Sequence, residues 1–501
     1  MAREFGKVTR ISVIVTVLIA LVMLAAPVLQ IGGKSVSPVG DAAAANGSRV
    51  FNVGMVDLTG SVSTLSPFMY TMSAEFDLIW PCYSTLLTYD INAKIIGDLA
   101  TSWSVAPDGL TWNFKLAQNA YFINRTNPLS TAHPVTATDV MWVFNELNTN
   151  PKNHLSSYFL TGTVGLIENM WTGANQWDFF VKTKTPFAPF LGAMTVIPIV
   201  PEYIWGHLKN PDTPTTYKNL DITGSGAFYY DIVGLPAAGL ATLKRNPQWF
   251  QEANKGWQLH IDTLNFKNAM DDAGAWTDLT LGLTDVFLNV APSQYINNVQ
   301  GGQTPGIIGW AQSTGFVYEY QLNQMTLAQR QAGVGSPGGS NNQLLLDPTV
   351  KLAMAMLVDK PHFIQDVVLG LGTVADSLVP DSNPWHYTYP NPVVYDPVAA
   401  RALLMAAGWA FDSTGAPATS TTLPLCKAGG SDPLSFRMLT LTGADWLQGS
   451  NLLKEWAGYG GVELTVQVMS TNQANSAWYA GDFDTWLWDW VFTPTSDPST
   501  D

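Results

Sequence analysis

A mixed α/β fold is predicted from two periodicities and a length. Apolar residues at three- and four-residue spacing mark helices at 138–148, 348–370 and 397–407. Alternating segments at 49–56, 112–116, 241–245 and 462–469 mark strands. Helices interleaved with strands over 501 residues describe an α/β chain with two or more domains and a large core.

In chain order, the first feature is an apolar run. Arg3, Lys7 and Arg10 precede residues 11–29, interrupted only by Ser12, Thr16 and Pro27. As a helix the run spans about 28 Å, against a hydrocarbon thickness of about 30 Å. Its basic flank stays inside, so the rest of the chain goes out. A cleaved signal peptide and an uncleaved anchor both fit, and no Cys follows the run to carry a lipid. Gly32, Gly33, Pro38 and the alanines 42–45 read as a linker, so residues 1–49 form a signal or membrane-anchor segment with its linker.

The first strand follows at 49–56, and Pro107-Asp108-Gly109 is a turn leading into the strand 112–116. Asp347 is an N-cap with Pro348 at the first helical position. Behind it Val350, Leu352, Met354, Met356 and Leu357 make an apolar stripe, read as a buried structural helix. Residues 333–340 are a flexible loop, and no internal repeat is apparent.

Composition excludes several functions. A net charge of -15, with 13% charged residues and no basic cluster beyond the N-terminus, excludes nucleic acid as a partner. The six histidines show no pair at metal-ligand spacing, and Cys82 and Cys426 stand alone, so neither a zinc site nor any cofactor is expected. Gly32-Gly33-Lys34-Ser35 lacks the first glycine of a phosphate loop, Val28 standing in its place, and 311–315 is a chance echo of a nucleophile elbow. Asn46 and Asn124 head glycosylation sequons. The aromatics are many, 19 Trp, 17 Tyr and 22 Phe, and some are expected to line a ligand surface.

Five segments, in order, carry a family resemblance. Gly97, Asp98, Leu99, Ala100 and Trp103 precede Asp108-Gly109-Leu110-Thr111 and an alternating strand; Pro134-Val135-Thr136-Ala137 opens a helix, with Thr136 or Thr138 as its cap. Gly224-Ser225-Gly226-Ala227-Phe228 is followed by Asn246-Pro247. Asp347, Val350, Lys351, Ala353, Asp359, Lys360, Gly370 and Gly372 hold a helix signature, and Tyr395-Asp396-Pro397 leads to Ala407-Gly408-Trp409. This pattern resembles the extracellular solute-binding proteins of ABC importers, family 5, the oligopeptide- and dipeptide-binding group, from about residue 50 to the end.

The resemblance implies a two-lobed, periplasmic-binding-protein-like clamp with mixed sheets and an inserted subdomain in the first lobe. Mapped here, lobe one is 50–270, the crossing lies near 261–268, and lobe two is 271–501 and incomplete. Cys82 and Cys426 then fall in different lobes and are not expected to pair. The implied partners are a small solute, either a peptide or an oligosaccharide, an ABC permease with its ATPase subunits, and the membrane through the N-terminal segment. The implied location is extracytoplasmic, membrane-anchored or secreted.

The candidate ligand residues lie near the end of the chain. In an alternating strand Trp486, Trp488 and Trp490 share one face, with Leu487 and Asp489 on the other. Packing of all three rings into the core competes with ligand contact. Peptide-binding relatives carry, three residues beyond a tryptophan, an aspartate that pairs with the peptide α-amine. Aligned on Trp490 that place holds Thr493, and a hydroxyl does not replace a carboxylate against a buried ammonium. Asp489 and Asp497 are the alternatives. The chain is therefore read as a non-enzymatic receptor, with a secreted glycoside hydrolase as the rival class; release of shorter products from labelled oligosaccharides would favour the hydrolase. For topology, protein carrying residues 11–29 is expected to pellet with membranes unless processed, whereas a chain starting at Arg49 stays soluble. Fractionation tests this, and unprocessed full-length protein in the cytosol would contradict export.

Overall fold

A computed structural model describes residues 30–31, 34–35 and 49–492, except 57, 71, 91–93, 162–163, 210–212, 237–238, 289, 291, 301–303, 305–306, 308–314, 332–338, 378 and 380–385. Two units are distinct, the first running through Val290 and the second beyond it.

In the first unit, five strands, Val50–Val56 (β1), Phe228–Tyr230 (β6), Leu240–Arg245 (β7), Thr263–Ala269 (β8) and Val286–Phe287 (β9), make a mixed sheet ordered β6-β7-β8-β1-β9. β1 lies parallel to both β8 and β9, and β8 is antiparallel to β7. A second, wholly antiparallel sheet is ordered β4-β5-β3-β2, from Ala100–Val105 (β2), Thr111–Leu116 (β3), Ile167–Thr172 (β4) and Asp178–Thr183 (β5). The turn between β2 and β3 is made by Gly109 at φ +68 and by Asp108, which accepts from the backbone N–H groups of Leu110 and Thr111. Of the segment 261–268, where a crossing between lobes is expected, 263–268 belongs to β8 of the first sheet, and the unit continues through the helix Asp272–Thr280 (α3).

The helix Ala137–Thr149 (α2) starts at Thr136. Asp139 accepts from the Thr136 N–H at 2.9 Å, closing a capping box. Its Val140, Val143, Phe144 and Leu147 are buried. Phe144 meets Phe179 of β5 edge-on at 5.2 Å and Phe159 at 4.9 Å, so much of the aromatic content is spent in this core. The glycines of the 224–228 segment have a steric reason: a Cβ at Gly224 would lie 2.0 Å from the Cys82 carbonyl oxygen, and one at Gly226 2.3 Å from that of Pro81.

The second unit holds one mixed sheet ordered β10-β13-β11-β12, from Gly315–Leu322 (β10), Ser435–Leu441 (β11), Glu463–Met469 (β12) and Thr485–Phe492 (β13). β11, β12 and β13 run parallel and β10 runs antiparallel to β13. The helical stretch expected over 348–370 divides into Pro348–Met356 (α4) and Lys360–Asp366 (α5). Asp347 caps the first through the Thr349 N–H, and Asp359 restarts the second through the His362 N–H. Val350, Ala353, Met354 and Leu357 are buried, but Leu352 is 46% exposed, so the core-facing stripe is narrower than the sequence pattern implied. Pro397–Ala406 (α6) is capped by Asp396 and packs on α4, while Ala444–Tyr459 (α7) and Thr471–Ala480 (α8) connect the parallel strands. Cys82 in the first unit and Cys426 in the second are free, buried thiols.

One buried group stands against the fold. Asp77, in the helix Ser73–Ile79 (α1), is 1% exposed, and neither carboxylate oxygen has a hydrogen-bond partner among the described residues. Burial pushes its pKa well above the usual carboxylate range. The folded chain therefore retains a proton that the unfolded chain loses above about pH 4, and stability falls as pH rises from there toward the folded pKa. Asp77→Asn is expected to stabilise the protein by about 1–3 kcal/mol at pH 7, with the gain shrinking toward pH 4. Thermal melts across this range measure it; equal pH profiles for both proteins would refute the assignment.

Candidate functional site

The second sheet places the tryptophans. β13 sits between antiparallel β10 and parallel β11, so its side chains alternate between two covered faces. Leu487 enters the core that holds Phe436, Met438 and Leu453 of α7. Trp486 goes the other way, into a cluster with Leu439, Phe483 and Ala474 of α8, with Trp478 and Trp488 packed against it. The ring centroids of Trp486 and Trp488 are 4.4 Å apart.

The three predicted rings do not share one environment. Trp486 is 1% exposed and its indole N–H has no partner among the described residues, so it is core rather than ligand surface. Trp488, two residues nearer the carboxyl end, is half-buried, with Trp446 at the start of α7 stacked 6.3 Å away. Trp490 pairs with Val317 through the backbone, and its side chain lies outside the described residues. Asp489 is half-buried on the opposite face and stands across from Tyr318, whose hydroxyl donates to Asp445 at 3.2 Å. Thr493 and Asp497 lie outside the described residues.

Register adds residues that the sequence did not offer. Glu319 of β10 stands directly opposite Trp488, and Gln321 opposite Trp486. Directly opposed residues share a face. The Gln321 amide donates to Glu319 at 2.6 Å and accepts from the Trp478 indole N–H at 3.2 Å, joining α8 to the strand pair. On β11, Leu439 is paired with Trp486, so Leu441 lies two residues on at the level of Trp488, and Met469 of β12 is paired with Leu441. The carboxyl edge of the sheet thus presents Met469, Leu441, Trp488 and Glu319, all half-buried, as a row on one face. Beside Met469, Val468 with Gln473, Ser476 and Ala477 of α8 line a depression of about 530 Å³. The alternation of 316–322 was a possible signal for β10, but its partner strand begins over 160 residues later and no local pattern names it.

The row combines apolar faces with one carboxylate, and the depression beside it adds the Ser476 hydroxyl and the Gln473 amide, a mixture that suits holding a small organic molecule. Among the described residues no three His, Cys, Asp or Glu side chains converge to hold a metal ion. No described helix is long and apolar enough to cross a membrane, and residues 11–29 lie outside the described set.

This architecture is that of the two-lobed periplasmic binding proteins. It is similar to NikZ from Campylobacter jejuni in complex with Ni(L-His), at 17% identity and TM-score 0.68 over 90% of this chain and 78% of that one. It is equally similar to a dipeptide-binding protein from Pseudoalteromonas sp. SM9913 in complex with Met-Leu, at 16% identity and TM-score 0.68 over 90% and 82%. Residues 94–501 match the bacterial extracellular solute-binding proteins, family 5 Middle, and the chain belongs to that family. Among curated relatives, the Escherichia coli dipeptide-binding protein is 24% identical over 80% of this chain and 71% of its own length. The E. coli nickel-binding periplasmic protein is 23% identical over 77% and 68%. The chain spans 60% of the length of the matching Brucella peptide-binding proteins. Members of the family are extracellular or periplasmic binding proteins rather than enzymes.

The packing separates two tryptophans by role. Trp486→Ala is expected to lower stability by about 3–5 kcal/mol, as for a fully enclosed indole, and Trp488→Ala by less than half as much. Urea unfolding compares them; equal losses would contradict the difference in burial.

Proposed function

We propose that this chain is the receptor of an ABC importer that captures a small peptide outside the cytoplasm and delivers it to a membrane permease, without chemistry of its own. The observation that carries this reading is the row Met469, Leu441, Trp488 and Glu319 at the carboxyl edge of the second unit's sheet, in a chain of the solute-binding family. Carboxyl ends of parallel strands are where open α/β sheets bind ligands. The relatives named as dipeptide- and peptide-binding proteins support the solute class.

Capture works by closure of the two lobes. A ligand that touches both lobes binds the closed form more tightly, and moving a clamp from mostly open to mostly closed takes about 5.5 kcal/mol of differential affinity. The apolar run at 11–29 carries the chain out of the cytoplasm and either tethers it or is removed.

Mass spectrometry of molecules that co-purify with the protein is expected to show short peptides. A thermal-shift panel of peptides and oligosaccharides ranks the classes, because a ligand of the folded state raises stability by RT ln(1 + [L]/Kd). Trp488→Ala or Trp490→Ala weakens binding by about 1–3 kcal/mol through lost ring contact. Unchanged affinity in both, with the fold intact, would remove the aromatic platform. Stabilisation by oligosaccharides alone would reassign the solute.

A further inference from the structure

In the second unit, exposed apolar side chains crowd into the approach to α6. Tyr387, Tyr389, Val393, Val394 and Val398 lie within twelve residues and are each 45–79% exposed. The two tyrosine rings meet edge-on at 5.4 Å. An exposed apolar residue that stands singly, such as Leu129 in the first unit, is ordinary, whereas a cluster marks a contact surface.

Polar anchors hold this stretch in place. The Tyr389 backbone N–H donates to the Asp376 carboxylate at 3.0 Å, and the same carboxylate lies 3.5 Å from Nε2 of His386. Nδ1 of His386 bonds to the Val379 carbonyl at 2.7 Å. Further on, the Asp396 N–H donates at 2.9 Å to the Met356 carbonyl at the end of α4, and the Asp396 side chain caps α6 through the Ala399 N–H. A surface fixed before contact loses less freedom on binding, so these bonds favour recognition by the side chains that they leave outside.

Charge and area select the partner. From residue 361 to 400 the sequence carries Asp366, Asp376, Asp381 and Asp396 and no Lys or Arg. The cations at either end are engaged, Lys360 with the Ala375 carbonyl and Arg401 with the carbonyls of Thr419 and Thr422. An anionic lipid surface is therefore repelled, and in a two-fold pair of copies aspartates would face aspartates. The five side chains expose on the order of 500 Å², less than the roughly 800 Å² that each partner buries in a stable complex. A small apolar face with an acidic rim suits a transient partner with apolar loops and a basic rim. A solute-binding receptor has such a partner in its permease, which it must reach and leave in every transport cycle.

We propose that Tyr387, Tyr389, Val393, Val394 and Val398 form the face by which this chain docks on the permease, against an apolar extracytoplasmic loop flanked by Lys or Arg. This rests on the receptor reading, and the experiment separates the two.

Biolayer interferometry measures binding of the full chain to the permease–ATPase complex of its importer, held in nanodiscs of neutral lipid. The variants are Tyr387→Ser with Tyr389→Ser, Val394→Ser with Val398→Ser, all four together, and Leu129→Ser as an exposed apolar control. The four-site variant is expected to bind the complex about tenfold more weakly, each pair to lose less, and Leu129→Ser to lose nothing; added salt weakens wild-type binding. Melting of the four-site variant within a few degrees of wild type, with the same response to a panel of di- and tripeptides, shows that fold and solute capture are kept. A larger drop makes the face structural and overturns the inference, as does unchanged binding of the complex by the four-site variant. Self-association or vesicle co-sedimentation that wild type shows and the four-site variant loses, with complex binding unchanged, reassigns the face to a second copy or to lipid and overturns it too. Wild type that binds peptides but not the complex overturns the docking face while the receptor reading stands, and wild type that binds neither overturns both.

Discussion

The second unit depends on one buried carboxylate. Asp484, 5% exposed, immediately precedes β13 and accepts from the Arg437 backbone N–H at 2.8 Å, from its Nε at 3.3 Å and from the Asn342 N–H at 2.7 Å. Arg437 also donates to Asp482 at 3.0 Å and to the Ser340 carbonyl at 2.6 Å. These bonds tie the start of β13 to β11 and to the chain leading into α4. Side chains on a strand alternate, so a slip of one residue would send Leu487 to the α8 face and Trp488 into the α7 core. Losing the Asp484 carboxylate would leave the Asn342 and Arg437 backbone N–H groups without their acceptor, and their convergence on it is what holds the register.

The aromatic excess divides between packing and display. Phe114, Phe144, Phe159, Phe179 and Phe190 interlock within the first unit, and Trp205, Trp409 and Trp486 are all but sealed from water. Trp409 still satisfies its indole by donating to the Asp432 carbonyl at 3.1 Å. Trp488, stacked on Trp446 and lying over Trp486, is the ring that reaches the sheet edge. Among the described residues most charged side chains lie outside and most large apolar groups inside.

Much of the family pattern is steric and capping chemistry rather than ligand chemistry. Gly224 and Gly226 are small because carbonyls of 81–82 press against them. Asp347, Asp359 and Asp396 each start a helix by accepting a backbone N–H. Such residues mark the fold and leave the solute open, which is consistent with one architecture holding Ni(L-His) in one protein and Met-Leu in another.

The sequence alone determined what local periodicity controls: the strands read at 49–56, 112–116, 241–245 and 462–469, each within a residue of the observed one, the caps at Thr136 and Asp347, and the separation of Trp486 and Trp488 from Leu487 by alternation. It also carried the family, because the glycines and caps stand at fixed places along the chain. It left unresolved the break between α4 and α5, where Asp359 makes a second cap inside an apolar run, and the outward turn of Leu352. Tertiary structure decided which tryptophan is core and which is edge, since burial of Trp486 comes from α8 and β11, not from its neighbours in sequence. It alone placed Glu319 opposite Trp488, because pairing between strands so far apart is fixed by hydrogen bonds across the sheet and has no trace in either segment by itself.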